Sequence, residues 1–404
     1  MKDYPVFLIL ILLYLNPIIS NARQVVQLDT TECIRKKGQV KQLYESERNV
    51  NQDEPAIDPD FILFLIGDTG NPQCVPELND SFYRKVHEST VKSSIVYLGD
   101  NVYTNGIPYR SYTSDTYEGK NMKVKIAETK LLVQLNRLSE YTGNAFFVPG
   151  NHDYHKIVKS PKRIDAQRNL ITAFDKKKET DGEIAFKPAA REDLKVELAE
   201  LTPEIAIIFI DSEWAVRKIN KPESKRLFTD PLKKAFDTAQ KYNYVILAAH
   251  HPLYSVGDHG HEKLIFASED IHRKKYRKYI RSIESYLNKG INIIYAAGHD
   301  HSIQHIHSQN FHQIISGSGS KSNHIIKNKV PSDSLQYAIA NHLTDAAFMK
   351  KRPRFKTALE SLLFATNYNG YVQLEFYSGR NEVWMKVYAI SDNSLKNLYS
   401  ARLF

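Results

Sequence analysis

Cysteine is scarce in this chain: Cys33 and Cys74 are the only two in 404 residues. They fit no zinc-ligand spacing, which excludes thiolates as metal ligands. The N-terminal apolar run, Val6 to Leu15, is shorter than the roughly 20 residues a spanning helix needs. That favours a cleaved secretory signal, Met1 to Ala22, over a permanent anchor. Lys2 gives a weakly positive start, and Ser20-Asn21-Ala22 has the small first and third residues of a cleavage site. No cysteine follows the run, so a lipoprotein anchor is unsupported. Export implies a secreted or periplasmic location, where Cys33 and Cys74 can pair; the sequence leaves open whether they meet. Repeats and low-complexity linkers are also missing. One domain with insertions therefore fits better than two independent domains.

What is present is ordinary in bulk and unusual in pattern. The chain is 42% hydrophobic and 25% charged, as expected of a globular protein with room for a large α/β domain. The net charge of +9 survives loss of the N-terminus, because Lys2 and Asp3 cancel. A basic balance suits anionic partners, phosphorylated substrates among them, or serves solubility alone.

The pattern centres on Ser94-Ile95-Val96-Tyr97-Leu98, a strand-like run that ends abruptly in Gly99-Asp100-Asn101-Val102-Tyr103. One such Asp is commonly a turn residue. Here the arrangement recurs. Phe61 to Ile66 runs into Gly67-Asp68-Thr69-Gly70, and Ala145 to Val148 into Pro149-Gly150-Asn151-His152-Asp153. Tyr244 to Ala249 runs into His250-His251-Pro252, and Ile291 to Ala297 into Gly298-His299-Asp300-His301. Five apolar runs thus each deliver a metal-capable side chain just past their last apolar residue.

Between these runs, Leu78 to Val91, Asn121 to Tyr141, Pro231 to Lys241 and Ser268 to Asn288 have helical character, with Asn79 or Asp80 as a candidate cap of the first. Ile205 to Ile210 is a further buried strand, ending Asp211-Ser212. The alternation predicts an α/β fold. Gly370 to Tyr377 and Val383 to Ser391 read as a hairpin closing the domain. The expected organisation is a signal over 1–22, a polar leader over 23–60 beside the first strand, and one domain over 61–404 with insertions near 154–204 and 320–364. The first insertion is rich in Lys and Arg (Lys156, Lys159, Lys162, Arg163, Lys176, Lys177, Lys178). It is a solvated face or a basic rim for phosphorylated substrates, the solvated face being the commoner case.

Carboxylates, an amide and imidazoles suit iron, manganese or zinc better than magnesium or calcium. The candidate ligands are Asp68, Asp100, Tyr103, Asn151, His250, His299 and His301. One carboxylate can bridge two ions about 3.5–4 Å apart, the spacing of two-metal hydrolytic sites. Asp100 is the candidate bridge.

The motifs Asp68-Thr69-Gly70, Gly99 to Tyr103, Gly150 to Asp153, Ala248-Ala249-His250 and Gly298 to His301 resemble the calcineurin-like metallophosphoesterase superfamily. More narrowly they resemble its purple acid phosphatase branch, of the small tartrate-resistant type. Pro252 to Gly260 resembles the loop that carries a second substrate histidine there. The resemblance implies two packed β-sheets flanked by helices, a four-layer sandwich. It implies two metal ions, Fe(III) held by Asp68, Tyr103 and His301, and a divalent Fe, Zn or Mn held by Asn151, His250 and His299, with Asp100 between them. His152 and His259 would face the phosphate. The implied reaction is hydrolysis of phosphomonoesters, on small molecules or proteins, by metal-bound hydroxide at acidic pH. A phenolate ligand favours a trivalent ion, which acidifies water more strongly than a divalent one. Protonated imidazoles can hold the phosphate and protonate the leaving oxygen. No nucleic-acid specificity and no membrane span after signal cleavage are expected. The alternatives are a phosphodiesterase of the same superfamily, whose branches usually lack a Tyr ligand, and a non-catalytic binding module on this scaffold.

Overall fold

Phe61 to Ile66 turns its alternate side chains into two different apolar layers. Phe61, Leu63 and Leu65 join one buried cluster, while Ile62, Phe64 and Ile66 join another. Side chains on a strand alternate between faces, so a strand covered on both sides reads as an unbroken apolar run. Ile205 to Ile210 and Tyr244 to Ala249 divide between the same two clusters in the same way.

The structure is a computed structural model, and it describes residues 28–30, 33, 40–48, 53–108, 122–155, 160–261, 271–287, 290–308, 310–326, 339 and 349–404. The expected signal segment and Lys156 and Lys159 lie outside the described residues.

Two mixed sheets face each other. One has seven strands in the order β15 (Ser394–Arg402), β14 (Glu382–Ser391), β13 (Gly370–Tyr377), β2 (Phe61–Ile66), β3 (Ser93–Tyr97), β4 (Asn144–Phe147) and β5 (Ile184–Phe186). Strands β2 to β5 run parallel. The other has eight, in the order β1 (Leu43–Glu45), β12 (Leu362–Thr366), β10 (Ile303–Ser308), β11 (Phe311–Ser316), β9 (Asn292–Ala297), β8 (Tyr244–Ala248), β7 (Ile205–Ile210) and β6 (Val196–Thr202). There β7, β8, β9 and β11 are parallel.

The described α-helices are α1 (Pro76–Glu88), α2 (Met122–Asn136), α3 (Pro161–Asp175), α4 (Ser212–Lys218), α5 (Asp230–Ala239), α6 (Asp258–His261), α7 (Lys274–Glu284) and α8 (Pro353–Glu360). Outer strand faces pack on helices: Phe82 of α1 meets Phe64 edge-on at 6.0 Å, and Tyr279 of α7 hydrogen-bonds Tyr295 of β9 at 2.8 Å. This is the expected arrangement of two packed sheets flanked by helices. Among the described residues no helix is long and apolar enough to cross a membrane.

Four local expectations differ. Helix α1 starts at Pro76, with Val75 at the N-cap position and no side-chain cap, so neither Asn79 nor Asp80 caps it. Proline suits the first helical turn because its missing N–H needs no partner there. The described leader is divided: Leu43–Glu45 pairs with β12 at the edge of the other sheet, while Asp60 N–H donates to Phe376 O of β13, the neighbour of the first core strand. The stretch 154–204 is woven into both sheets, supplying α3 and the edge strands β5 and β6. Both strands lie at sheet edges, so their apolar runs are short or interrupted. The closing hairpin gains a third strand, β15, antiparallel to β14.

Lys178 of that stretch donates to Thr180, whose hydroxyl reaches Tyr141 before β4 begins. The lysines after α3 therefore lie at the end of β4 opposite its Asn151-His152 exit; Lys176 and Lys177 are exposed there as a solvated face, whereas the Lys178 side chain is turned inward.

Cys33 and Cys74 are joined by a disulfide, which ties the N-terminal segment to the loop following Asp68. With 41 residues of separation, chain entropy puts its contribution at about 4 kcal/mol. The Cys33→Ser/Cys74→Ser double variant should melt well below the wild type in a calorimetric scan. An unchanged Tm would show that the disulfide adds no stability.

Candidate metal centre

Parallel strands end on the same side, so β2, β3 and β4 present Asp68, Asp100 and Asn151 at one edge of their sheet. Strands β8 and β9 do the same for His250 and His299 in the other. The two edges are sewn together by hydrogen bonds from Gly67 N to Ser316 O (2.6 Å), Gly319 N to Gly67 O (3.0 Å) and His299 N to Asp68 Oδ2 (2.8 Å). Three of these strand-end residues have left-handed backbone: Asp68 (φ 59°), Asp100 (φ 54°) and His299 (φ 71°). Such conformations cost of order 1–3 kcal/mol each and gather where function demands them. Gly150 permits the closest approach, because a Cβ there would collide with the Asp100 carboxylate.

The seven candidate ligands fall into two triads and a link. In the first, the Tyr103 hydroxyl lies 2.6 Å from Asp68 Oδ1 and 3.1 Å from His301 Nε2, and His301 Nε2 lies 3.3 Å from Asp68 Oδ1. In the second, Asn151 Oδ1 lies 3.0 Å from His250 Nε2 and 3.2 Å from His299 Nδ1, with 3.2 Å between the two ring nitrogens. Asp100 touches both: Oδ1 is 3.5 Å from His250 Nε2, and its carboxylate also engages the Tyr103 hydroxyl. Ligand atoms roughly 2.0–2.2 Å from one ion stand about 3 Å from each other. Both triads have that spacing. The donor atoms of Asp68, Asp100 and His301 all lie within 4.8 Å of one another.

Hydrogen bonds behind the cluster set which atoms face it. His250 Nδ1–H donates to Leu98 O at 2.8 Å, which leaves the Nε2 lone pair directed at the cluster. Ser212 Oγ accepts the backbone N–H of His250 (3.1 Å) and of His251 (3.0 Å). The His299 ring is sandwiched, stacked on His259 at 4.0 Å and tilted against His251 at 4.4 Å. Asp153 is fully buried and accepts five N–H bonds, from Gly150, Val102, Gln167, and Asn101 backbone and side chain. It clamps the Asp100 turn to the Asn151 turn. Asp300 likewise holds the loop of His259, through Ser255 Oγ and the His259 backbone.

His152 and His259 occupy a different position from the triads. The His152 backbone N–H donates to Asp100 Oδ1 at 2.9 Å, and its ring Nδ1 donates to Thr104 O at 2.5 Å. Its Nε2 is 4.0 Å from Asp100 Oδ2.

Burial raises the Asp68 carboxyl, His250 draws it back and Asp100 pushes it up again, to about 6. Burial acts the same way on Asp100, but His250, His152 and Lys321 outweigh it and hold that carboxyl below its ordinary value. Burial, then Asp100 and Asp68, drive the Tyr103 hydroxyl well above its ordinary value. The phenol keeps its proton unless a strong cation displaces it. Burial and the neighbouring imidazoles push His299 well below its ordinary value, so it is a neutral lone-pair donor. Burial opposes charge on His250 too, but the Asp100 and Asp68 carboxylates draw it above its ordinary value, so that ring holds a positive charge where a metal ion would take its place. Buried carboxylates beside inward-facing imidazole nitrogens are a donor set that fits cations.

A calcineurin-like phosphoesterase family model matches residues 40–303, more than half of the chain. The chain belongs to the calcineurin-like phosphoesterase family. The family depends on binuclear metal centres, so membership implies a metal-dependent hydrolase of phosphoric esters. Among solved structures the chain is similar to GAP50, the anchor in the inner membrane complex of Plasmodium. The two share 16% identity and a TM-score of 0.55, over 85% of this chain and 89% of that one. PhoD follows at 11% identity and TM-score 0.45, over 86% and 73% of the two chains. A putative 5'-nucleotidase from Staphylococcus aureus has 10% identity and TM-score 0.35, over 85% and 54%. At such identities the likeness to GAP50 is one of fold. A comparison with curated proteins found no match.

Sequence reasoning singled out all seven clustered residues and the two outer histidines. It assigned no role to Asp153, Ser212, Asp300 or Lys321. The signal for Asp153 was its place in the Gly150 to Asp153 motif, for Asp300 its place in the Gly298 to His301 motif, and for Ser212 its place just past β7; nothing local marked Lys321.

Proposed function

We propose that this chain is an exported acid phosphatase of the purple type, hydrolysing phosphomonoesters at a mixed-valence pair of ions. The observation that carries the reading is the Tyr103 hydroxyl in contact with Asp68 and His301. A phenolate there, with the Asp68 and Asp100 carboxylates, would place three negative charges in one buried pocket. That demand favours a trivalent ion in the first triad: Fe(III) on Asp68, Tyr103 and His301. A divalent Fe, Zn or Mn would take Asn151, His250 and His299, with Asp100 shared. Bound there, the ions would lower the pKa of water and neutralise phosphate charge.

The remaining work falls to the chain's own groups. With Nδ1–H committed to Thr104 O, His152 has Nε2 as the atom that can carry a proton to the leaving oxygen. His259, stacked on the His299 ring, can donate to the phosphate oxygens. Cleavage of Met1 to Ala22 would place the chain in a secretory compartment, and the Cys33–Cys74 disulfide supports that reading.

Metal analysis with a visible spectrum tests the proposal. Oxidised protein should be purple or violet, from charge transfer between phenolate and ferric iron. Tyr103→Phe should abolish that band while circular dichroism stays that of the wild type. Colourless protein loaded with zinc or manganese and active on diesters would favour the phosphodiesterase alternative. Protein that holds no metal after iron reconstitution and hydrolyses neither ester class would favour a non-catalytic scaffold. GAP50, described as an anchor, has the same fold.

A further inference from the structure

Lys321 lies after β11, in a stretch that no ligand motif reaches. Its Nζ stands 3.1 Å from the centroid of the Tyr103 ring. It is close enough to Asp100 to help hold that carboxyl ionised. A cation over an aromatic face is attracted by the ring's negative face, and more strongly where water is partly excluded.

The backbone under Lys321 is tied on both sides, and the ties lead to the first triad. Ser320 Oγ donates to the carbonyl of Asp68 at 2.5 Å and accepts from Asn71 N at 3.1 Å. Asn369 Nδ2 donates to the carbonyl of Lys321 itself at 3.2 Å. Ser322 Oγ donates to Asn367 O at 2.6 Å, and Asn323 N donates to His301 O at 2.8 Å. Lys321 is therefore a charge on a braced loop, partly buried and registered to Asp68 and His301, rather than a surface lysine with free reach.

We propose that Lys321 is a specificity-determining residue that recognises the dianionic phosphate of a monoester from the Tyr103 side of the site. The inference rests on the phosphatase reading above. An ammonium is a compact point charge with three rotatable donors. It does not demand the planar bidentate fit that an arginine does. It therefore suits a phosphate whose non-bridging oxygens can rotate. A diester carries one negative charge, and a monoester carries two above its second pKa of about 6. Above that pH a fixed cation accordingly attracts the monoester more strongly; at acidic pH, where both esters carry one charge, the preference narrows.

The test uses the full-length, metal-loaded protein at pH 7, where a monoester is dianionic. Inorganic phosphate binding is measured by calorimetry, with kcat and KM for p-nitrophenyl phosphate and bis(p-nitrophenyl) phosphate. Lys321→Met keeps the length of the side chain without its charge, and Lys321→Arg restores the charge. For Lys321→Met the phosphate Kd and the monoester KM should each rise about tenfold, as expected for a lost charge-assisted hydrogen bond. The kcat and the metal content should hold, the diester KM should move much less, and Lys321→Arg should recover most of the loss. Phosphate affinity within about twofold of wild type, a change smaller than any charge-assisted bond, would overturn the proposal. So would equal losses on the two esters, or a fall in metal content that accounts for the weaker binding. Failure of the phosphatase reading shows separately, as wild-type protein that neither binds phosphate nor hydrolyses either ester.

Discussion

Asp100→Asn protein is expected to lose both metal ions and to fall in kcat by at least about 10³-fold, beyond the loss of a single transition-state donor. Asparagine is chosen over alanine for a backbone reason. Asp100 has φ 54°, a left-handed conformation that Asn adopts readily and Ala does not. The amide oxygen can still accept the His152 backbone N–H that Asp100 Oδ1 accepts at 2.9 Å. What changes is the charge shared by the two triads, which meet at Asp100 through Tyr103 on one side and His250 on the other. Elemental analysis and turnover check the outcome together. Two metals per chain with near wild-type hydrolysis would mean that Asp100 does not bridge.

His152→Ala should leave both ions in place and lower kcat by about 10²–10⁴-fold, the range for a lost general acid. The ring is held by Thr104 O through Nδ1, with Nε2 4.0 Å from Asp100 Oδ2. It is thus outside both triads, supporting Asp100 through its backbone N–H and, from 4.0 Å, through its ring charge, both of which the two ions would outweigh. His259→Ala should also keep its metals, although its ring stacks on His299. Loss of metal from either variant would move that histidine among the ligands. Substrates with better leaving groups should recover more of the activity of whichever variant lacks the proton donor, because a better leaving group needs less protonation.

Much of the fold was legible because buried strands leave a strong local mark. Phe61–Ile66 and Ile205–Ile210 are read from sequence with the bounds they have in the structure, since both faces are covered and every residue is apolar. Strands β5 and β6 escaped notice. Val196–Thr202 includes Glu197 and Glu200, whose side chains a sheet edge leaves in contact with water. Leu43–Glu45 is three residues long and is a strand only because β12 lies beside it. Whether Cys33 meets Cys74 was likewise undecidable from spacing.

The sequence by itself determined the donor types and their delivery: carboxylate, amide, phenol and imidazole, each placed just beyond a buried strand. Local residue order suffices for that, because a parallel strand must release its chain at one edge. Only the tertiary structure decided how the donors group. His250 stands beside Asn151 because Leu98 O takes its Nδ1–H. The Asp100 and Asn151 turns lock together because Asp153 lies beneath both, accepting their backbone N–H groups. Lys321 reaches Tyr103 because Ser320 and Asn323 bind the backbone of the ligands. These are contacts between segments remote in sequence. Their geometry follows from how two sheets pack, which the periodicity of any one segment does not encode.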